Sequence, residues 1–468
     1  MAHIAYISIG MNSTVHGSLE LGRRLRAAGH RVTFVSHNPI APLVEDNGFK
    51  FVRLAADDRW KQLQSRIVRP VRPFVHLRKL TRWITEMRQL RRESMHLREL
   101  DSTISALQPD LLLIDIECHV AIIASQKWGI PVALPMFWLS VFKQAALPPP
   151  HTALLPPQNY YDRLTVRLAW LKLHIKVLLG DVKGIVAGKE IRARFSPLFY
   201  STVRRSNLRE LARTRGYPIK TDTDRFQWLR PHMYMQLPIL SLNIYQLDFP
   251  HSVHPNMSYV GPMLNVRRKE IKTSTRENAR WQEYKRNNRA GRSAGRPLVY
   301  CSFGSYLAPD KRLVEQTLKV AKQRNDWDFV VGLGSRVAYR DVPEPPGNVL
   351  LMDWAPQMDV LAYASCAVVH AGISTINECI YNRVPVIVFS THTNDQDGVA
   401  ARVRYHRLGV VLEKQVAMAE QIEAAIEQSL VNETTRTAMR EMSQHMQDYQ
   451  ARHVEVTTIE ALLTNPGA

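Results

Sequence analysis

Short, continuously apolar segments alternate with helical patterns along the first part of the chain. The apolar run at residues 4–9 is followed by leucines at helical spacing up to Ala28, and Gly29 supplies the left-handed residue that often ends a helix. Continuous apolar runs are typical of parallel strands that are buried on both faces. We predict strands at residues 4–9, 31–36, 49–54, 111–116 and 132–134. This alternation indicates a parallel sheet covered by helices.

The alternation restarts in the second half, after proline-rich and basic sequence at residues 140–240. Strands are predicted at 298–303, 329–333, 349–353, 367–369 and 384–389, with helices near 310–324, 356–364, 374–381, 396–407, 418–430 and 434–463. A chain of 468 residues is too long for one core. We therefore predict an α/β protein with domains at 1–245 and 297–433. A linker at 246–296, exposed over its polar part 265–296, joins them, and a C-terminal helix at 434–468 packs back toward the first domain.

Polar and aromatic side chains follow successive predicted strands of the second half, where ligands of α/β proteins bind. Trp354 can stack on a nucleobase, while His370 and Thr375 stand where a helix N-terminus would hold a diphosphate. Glu378, one turn later, can accept from both ribose hydroxyls. Asp395–Gln396 offers acceptors and donors to sugar hydroxyls. Each residue alone is more often a capping or packing residue, but together they indicate a sugar-nucleotide site.

The segment 354–396 resembles the signature of the UDP-glycosyltransferase superfamily, and residues 29–33 and 260–262 match that family more loosely. The resemblance implies the GT-B fold, with two facing Rossmann-like domains. It also implies inverting transfer of a hexose, with glucose expected, from a UDP-sugar without a metal or other cofactor. The donor-binding residues that it implies are Ser305, Trp354, Gln357, His370, Gly372, Ser374, Thr375, Glu378, Asp395 and Gln396.

Two positions depart from the family pattern. Ile373 stands where plant members have a second tryptophan, as in many bacterial members, and Val399 replaces an asparagine. The general pattern is similar to bacterial members that act on lipophilic acceptors, such as carotenoid glucosyltransferases. The resemblance therefore implies a lipophilic or aromatic small molecule as acceptor.

The catalytic base of this family is a histidine in the loop after the first strand. An ungapped count places Thr14 in that position, and His16 follows two residues later. The resemblance implies that His16 takes the proton of the acceptor hydroxyl and that Asp115 orients it, with Glu117 as the alternative partner. An inverting transfer needs such a base with a pKa near neutrality.

The net charge of +20 is concentrated in two stretches. Residues 59–99 hold 12 Lys/Arg against 3 Glu, and residues 163–215 hold 13 Lys/Arg against 3 Asp/Glu. Leucines and Ile175 recur at helical spacing between residues 164 and 178, with basic residues interspersed, which is typical of an amphipathic helix. We predict that these stretches contact an anionic membrane surface. Nucleic acid is the weaker alternative, because few aromatics interleave the basic residues.

The start of the chain, its apolar runs and its cysteines favour a cytoplasmic protein, peripheral at most on the inner membrane face. We identify no signal peptide and no run long enough to span a bilayer, and the four cysteines form no CxxC pair. Two other functions stay open: an epimerase or lipid-linked sugar transferase of the same fold, or a non-catalytic sugar-nucleotide-binding protein. Analysis of the reaction products distinguishes the first alternative from a glycosyltransferase. Release of UDP from a UDP-sugar would argue against the second, the non-catalytic protein.

Overall fold

The structure is a computed structural model, and it describes residues 1–54, 97–187, 205–229, 231–266, 268, 274–287, 295–302, 311–334, 341–413 and 418–464. Ser305 and most of the basic stretch 59–99 lie outside these residues. The described strands are His3–Ile7 (β1), Arg31–Ser36 (β2), Lys50–Arg53 (β3), Leu111–Ile114 (β4), Val132–Met136 (β5), Thr223–Asp224 (β6), Met233–Tyr234 (β7), Ile239–Ser241 (β8), Met257–Tyr259 (β9), Leu298–Ser302 (β10), Asp328–Gly332 (β11), Val349–Met352 (β12), Cys366–His370 (β13), Val386–Phe389 (β14) and Gly409–Leu412 (β15).

Helices separate most of these strands, as the alternating pattern predicts. The described helices are Asn12–Ala27 (α1), Ala41–Asp46 (α2), Leu97–Leu107 (α3), His119–Ser125 (α4), Tyr160–Ala187 (α5), Arg205–Arg215 (α6), Thr275–Asn287 (α7), Lys311–Gln323 (α8), Gln357–Leu361 (α9), Ile373–Tyr381 (α10), Gln396–Tyr405 (α11), Ala419–Val431 (α12), Glu433–Ala451 (α13) and Val454–Thr464 (α14).

Two parallel sheets form the framework. The first has the order β3-β2-β1-β4-β5-β8-β9, and the second has the order β12-β11-β10-β13-β14-β15. Every residue of β1 and β4 is buried, since helices cover both faces of each sheet, which explains their unbroken apolar sequence. The prediction of two parallel α/β sheets is confirmed.

The predicted linker over residues 265–296 contains helix α7, which is mostly exposed but is attached to the second domain through Trp281. Its Trp281 is completely buried in the second domain's core, and the indole N–H donates to Asp359 at 2.8 Å. Lys285, one turn later, pairs with the same carboxylate at 2.6 Å. Strand β9, within the predicted linker 246–296, pairs with β8 in the first sheet. The polar composition of this segment did not predict these contacts. A single buried indole is enough to attach a short polar helix to the core.

The C-terminal segment consists of two helices instead of the continuous one that we predicted. The break lies at Arg452 and His453, where His453 has a left-handed φ of 49°. Helix α14 then lies against α1, where Glu455 is completely buried and pairs with Arg24 at 3.0 Å. The last part of the chain therefore contacts the first domain.

Buried polar contacts join the two domains. Asp248, beside the first sheet, accepts from Nε and Nη2 of Arg402 on α11 at 2.8 and 2.5 Å. Both side chains are almost fully buried. The amide of Asn377 on α10 donates to Asn243 at 2.9 Å. These contacts bring the carboxyl-end loops of both sheets to a common cleft.

Candidate functional site

A cavity of about 570 Å³ lies between the two sheets at this cleft. Its walls include the segments that follow β1, β2, β4, β5 and β8 of the first sheet and β12, β13 and β14 of the second, together with the end of β10. Every predicted site residue that the structure describes lines this cavity: His16, Asp115, Trp354, Gln357, His370, Gly372, Ser374, Thr375, Glu378, Asp395 and Gln396. Donor-side and base-side residues that are far apart in sequence therefore share one space.

His16 lies on helix α1, not in the loop where the family pattern places the base. The helix begins at Asn12, several residues before the predicted leucine pattern, so that Thr14 and His16 both lie in its first turns. Both residues line the cavity, with Thr14 buried and His16 half-buried. Of the two, only His16 has a side chain that can act as a base near neutral pH.

Asp115 directly follows β4 and is buried beneath the cavity. Its Oδ1 accepts from the Tyr6 hydroxyl at 2.9 Å, and its Oδ2 accepts from the backbone N–H of Ile9 at 2.6 Å. Burial raises the pKa of Asp115 to about 6, although these hydrogen bonds oppose the rise. The carboxylate is thus oriented by two fixed donors and titrates close to neutrality.

Glu117 also lines the cavity, two residues after Asp115. Burial raises the pKa of Glu117 to about 8, and the negative charges of Asp115 and Asp395 add to the rise. At neutral pH this carboxyl is therefore mostly protonated and can donate a hydrogen bond. From the sequence, Glu117 was predicted only as an alternative partner of His16. The sequence pattern does not predict its burial and therefore not its raised pKa.

His370 ends β13 and lies against the start of α10. A Cβ at Gly372 would lie 2.5 Å from His370 Nε2, so glycine is required for the ring to occupy this place. Burial lowers the pKa of His370, although a hydrogen bond with the backbone of Ser302 opposes this. The imidazole is therefore mostly neutral at pH 7 and brings no positive charge to the start of α10.

Gln357 and Glu378 are bonded to each other. Gln357 Nε2 donates to Glu378 Oε2 at 2.5 Å, and Gln357 Oε1 accepts from the Tyr300 hydroxyl at 3.0 Å. The Glu378 carboxylate also pairs with Arg268. The sequence prediction missed Tyr300, which reads as an ordinary apolar strand residue, and Arg268, which lies in the predicted linker.

Asp395 ends the loop between β14 and α11, and Gln396 is the first residue of α11. The Oδ2 atom of Asp395 is buried and has no hydrogen-bond partner among the described residues, and burial raises the pKa of this carboxyl to about 6. Gln396 Oε1 accepts from the backbone N–H and the hydroxyl of Thr391 at 3.0 and 2.7 Å, which fixes the loop. A buried carboxylate oxygen at the cavity wall is a suitable acceptor for a sugar hydroxyl.

Known proteins are similar to this chain in sequence and in architecture. Residues 229–456 match the family described as UDP-glucoronosyl and UDP-glucosyl transferase. Zeaxanthin glucosyltransferase from Pantoea ananas is 22% identical over 424 residues, which cover 87% of this chain and 84% of that enzyme. The uncharacterised UDP-glucosyltransferase YdhE from Bacillus subtilis (strain 168) is 24% identical over 151 residues, which cover 32% of this chain and 38% of that protein.

A solved structure, the glycotransferase of kitacinnamycin, is similar over 98% of both chains, with a TM-score of 0.63 and 19% identity. The GT-B fold that the resemblance implied is confirmed by this similarity. The fold, the family match over residues 229–456 and the relatives agree, and the chain is therefore similar to the UDP-glycosyltransferases.

Proposed function

We propose that the protein is an inverting glycosyltransferase that moves a hexose, with glucose expected, from a UDP-sugar to a hydroxyl of a lipophilic or aromatic small molecule. The main support is that His16 and the predicted donor-binding residues line one cavity. The Pantoea relative is named for glucosyl transfer to zeaxanthin, a carotenoid. UDP-sugars are cytosolic metabolites, so we expect the enzyme to act on the cytoplasmic side.

The proposed reaction proceeds in one displacement. His16 takes the proton of the acceptor hydroxyl, whose oxygen then forms a bond to the anomeric carbon from the face opposite the nucleotide. The bond between the anomeric carbon and the diphosphate oxygen breaks, and its electron pair leaves with UDP. Asp395 and Gln396 hold the hexose hydroxyls, and Glu378 holds the ribose.

The leaving diphosphate is placed at the N-terminus of helix α10. Backbone N–H groups there, together with Thr375 and His370, stabilise the charge that develops as the bond breaks. We propose that these donors make a divalent metal unnecessary. Activity that persists in excess chelator supports this part of the proposal, and activity restored only by Mg²⁺ or Mn²⁺ contradicts it.

The first-domain side of the cavity is suited to an apolar acceptor. Trp138 and Trp228 pack edge to face at 5.1 Å between ring centroids, and both line the cavity. The other apolar side chains on this side include Ile9, Met11, Ile40, Leu43 and Phe137. A mostly apolar wall with few polar groups is typical of sites for hydrophobic small molecules.

Helix α5 supports the proposal that the enzyme works at an anionic membrane surface. Its apolar stripe is exposed, with exposed fractions of 43–54% at Leu164, Leu168, Leu171, Ile175 and Leu178. The helix is held by its other face, where Val166 and Trp170 are 2% exposed. The basic residues that flank the stripe are also exposed: Arg163, Arg167, Lys172 and Lys176.

An exposed apolar stripe between basic side chains is the pattern of a helix that lies in a membrane interface. A lipophilic acceptor would then reach the cavity from the bilayer. Among the described residues, no helix has the length and apolar character needed to cross a membrane, so the proposed contact is peripheral.

A screen of donors and acceptors by mass spectrometry tests the proposed function. The purified enzyme is incubated with UDP-glucose, UDP-galactose, UDP-N-acetylglucosamine or dTDP-glucose and a set of hydrophobic alcohols and phenols. We expect a mass gain of one hexose on a hydrophobic acceptor, with UDP-glucose as the best donor and inverted stereochemistry by NMR. Conversion of the donor into an epimer, or UDP binding without transfer to any acceptor, would contradict it.

A further inference from the structure

Arg268 is a charged residue in the donor half of the cavity that the family signature does not include. It follows the first domain in sequence, yet its side chain reaches Glu378 on α10 of the second domain. Nη1 bonds Oε1 of Glu378, and Nη2 bonds Oε2 at 3.3 Å. The side chains are 10% and 8% exposed, respectively, so the pair is largely removed from water.

This pair lies close to the place proposed for the diphosphate. Gln357 Nε2 bonds Glu378 and also lies 3.5 Å from the hydroxyl of Thr375, one turn closer to the start of α10. One helical turn is about 5.4 Å. The guanidinium therefore lies at Glu378, one turn further into α10 than Thr375, and an arginine side chain is long enough to extend one turn toward the helix N-terminus.

The cavity has little other positive charge. Arg268 is the one Lys or Arg among the described residues that line it. His370 is held neutral by burial, which lowers its pKa. A nucleoside diphosphate carries negative charge that increases as the glycosidic bond breaks, and a guanidinium matches phosphate oxygens in geometry as well as in charge.

Building on the proposed function, we propose that Arg268 is a donor-binding residue that contacts the diphosphate of the nucleotide sugar and pairs with the carboxylate that holds the ribose. The contact with Glu378 orients that carboxylate. The same guanidinium supplies the positive charge for the leaving nucleotide. Recognition of the ribose and of the diphosphate would thus be coupled through one side chain.

Calorimetric titration with UDP and with uridine tests this proposal, because the two ligands differ only in the diphosphate. We expect Arg268→Gln to weaken UDP binding by ten- to a hundred-fold while uridine binding changes by less than about threefold. Arg268→Lys, which keeps the charge but not the fork of donors, should lie between. Arg440→Gln, at an exposed arginine on α13 that does not line the cavity, is the matched control.

A double variant separates a direct contact from an effect through Glu378. Removal of Arg268 alone leaves a buried carboxylate unpaired, which could disturb the ribose site. In Arg268→Gln/Glu378→Gln the unpaired charge is gone, so the preference for UDP over uridine should still be lost, whereas Glu378→Gln alone should keep it. Melting curves show whether each variant is folded.

The outcomes are distinct. Equal weakening of UDP and uridine in Arg268→Gln, or recovery of the UDP preference in the double variant, would show that Arg268 only positions Glu378 and would overturn the proposal. Tighter binding of both ligands in Arg268→Gln would show that the arginine blocks the site, and would overturn it as well. If the wild-type protein binds no UDP, it is the proposed function that fails.

Discussion

At the residue scale, Glu378 shows how one carboxylate can serve several partners. An ionised carboxylate has about four lone-pair sites, and the bonds from Arg268 and Gln357 use three of them. The remaining capacity can accept a ribose hydroxyl without the loss of these partners. The ribose contact proposed for Glu378 is therefore compatible with its pairing in the structure.

We expect UDP-glucose to be used better than dTDP-glucose, because a deoxyribose leaves part of the Glu378 acceptor capacity unfilled. A buried polar group without a partner costs on the order of 1–3 kcal/mol. Glu378→Ala should erase the difference in kcat/KM. Since dTDP also carries a base methyl group, 2′-deoxy-UDP-glucose is the control that isolates the hydroxyl. Equal rates for UDP-glucose and its 2′-deoxy form in the wild type would contradict the ribose contact.

The role of His16 as general base can be tested by substitution. Replacement by alanine should lower turnover by roughly 10²–10⁴-fold, the usual effect of removing a general base, while UDP binding stays unchanged. His445→Ala, on α13 outside the cavity lining, serves as the matched control. If His16→Ala keeps most of its turnover, the base lies elsewhere, and the roles of Thr14 and Asp115 have to be reconsidered.

At the element scale, helix α5 has two opposite faces with different roles. The face with Val166 and Trp170 attaches the helix to the first domain, and the Trp170 indole donates to the carbonyl of Leu147 at 2.9 Å. The opposite face exposes leucines between basic residues. In the part of the chain that the structure describes, about half of each stripe side chain is exposed, which argues against a packing face for the first domain.

We expect the protein to co-sediment with anionic vesicles but not with neutral ones, and to be released at high salt. Each basic residue near such a surface contributes up to about 1 kcal/mol. The double variant Leu168→Gln/Leu171→Gln should weaken binding to anionic vesicles. The free energy of unfolding should change little, because both side chains are more than half exposed. The control is Val431→Gln, because the Val431 side chain on α12 is 75% exposed. The neighbouring Leu430 is packed against the core and would not serve as a control. Absence of binding to either vesicle, with full activity on a soluble acceptor, would contradict the membrane proposal.

At the scale of the whole molecule, the Asp248–Arg402 pair holds the two domains together. Asp248 Oδ2 also accepts from the backbone N–H of Ser140 at 2.6 Å and from the Tyr259 hydroxyl at 2.8 Å. Burial would raise the pKa of Asp248, but Arg402 and these hydrogen bonds outweigh it and hold the pKa below its usual value. The stabilisation is therefore present above the unfolded-state pKa of about 4 and is lost as the pH falls through the lower folded-state value.

Arg402→Met should reverse this pH dependence. Without the cation, burial raises the Asp248 pKa above its unfolded value, so the variant loses stability as the pH rises, and the buried charge left unpaired costs about 3–5 kcal/mol. We expect the gap in melting temperature between wild type and variant to widen from pH 4 to pH 7. Asp248→Asn/Arg402→Met is the control, in which the gap should change little between these pH values, because only the wild-type Asp248 then titrates and its folded-state pKa lies below this range. A gap that is the same at both pH values in the single variant would contradict this role.

The sequence by itself determined the two parallel sheets and most of the donor-side residues. Buried parallel strands are covered on both faces and must be apolar, and side chains that follow such strands meet at one edge of the sheet, so residues such as Trp354, His370 and Asp395 could be found from order alone. Only the tertiary structure decided which residues from other segments pair with each other. These pairs are Arg268 with Glu378, Tyr300 with Gln357 and Arg402 with Asp248, and the structure likewise decided the burial of Trp281 on α7. It also decided the raised pKa of Glu117 and the exposure of the α5 stripe. Long-range pairing and burial depend on how separate elements pack, and a periodic pattern within one element carries no information about its partner.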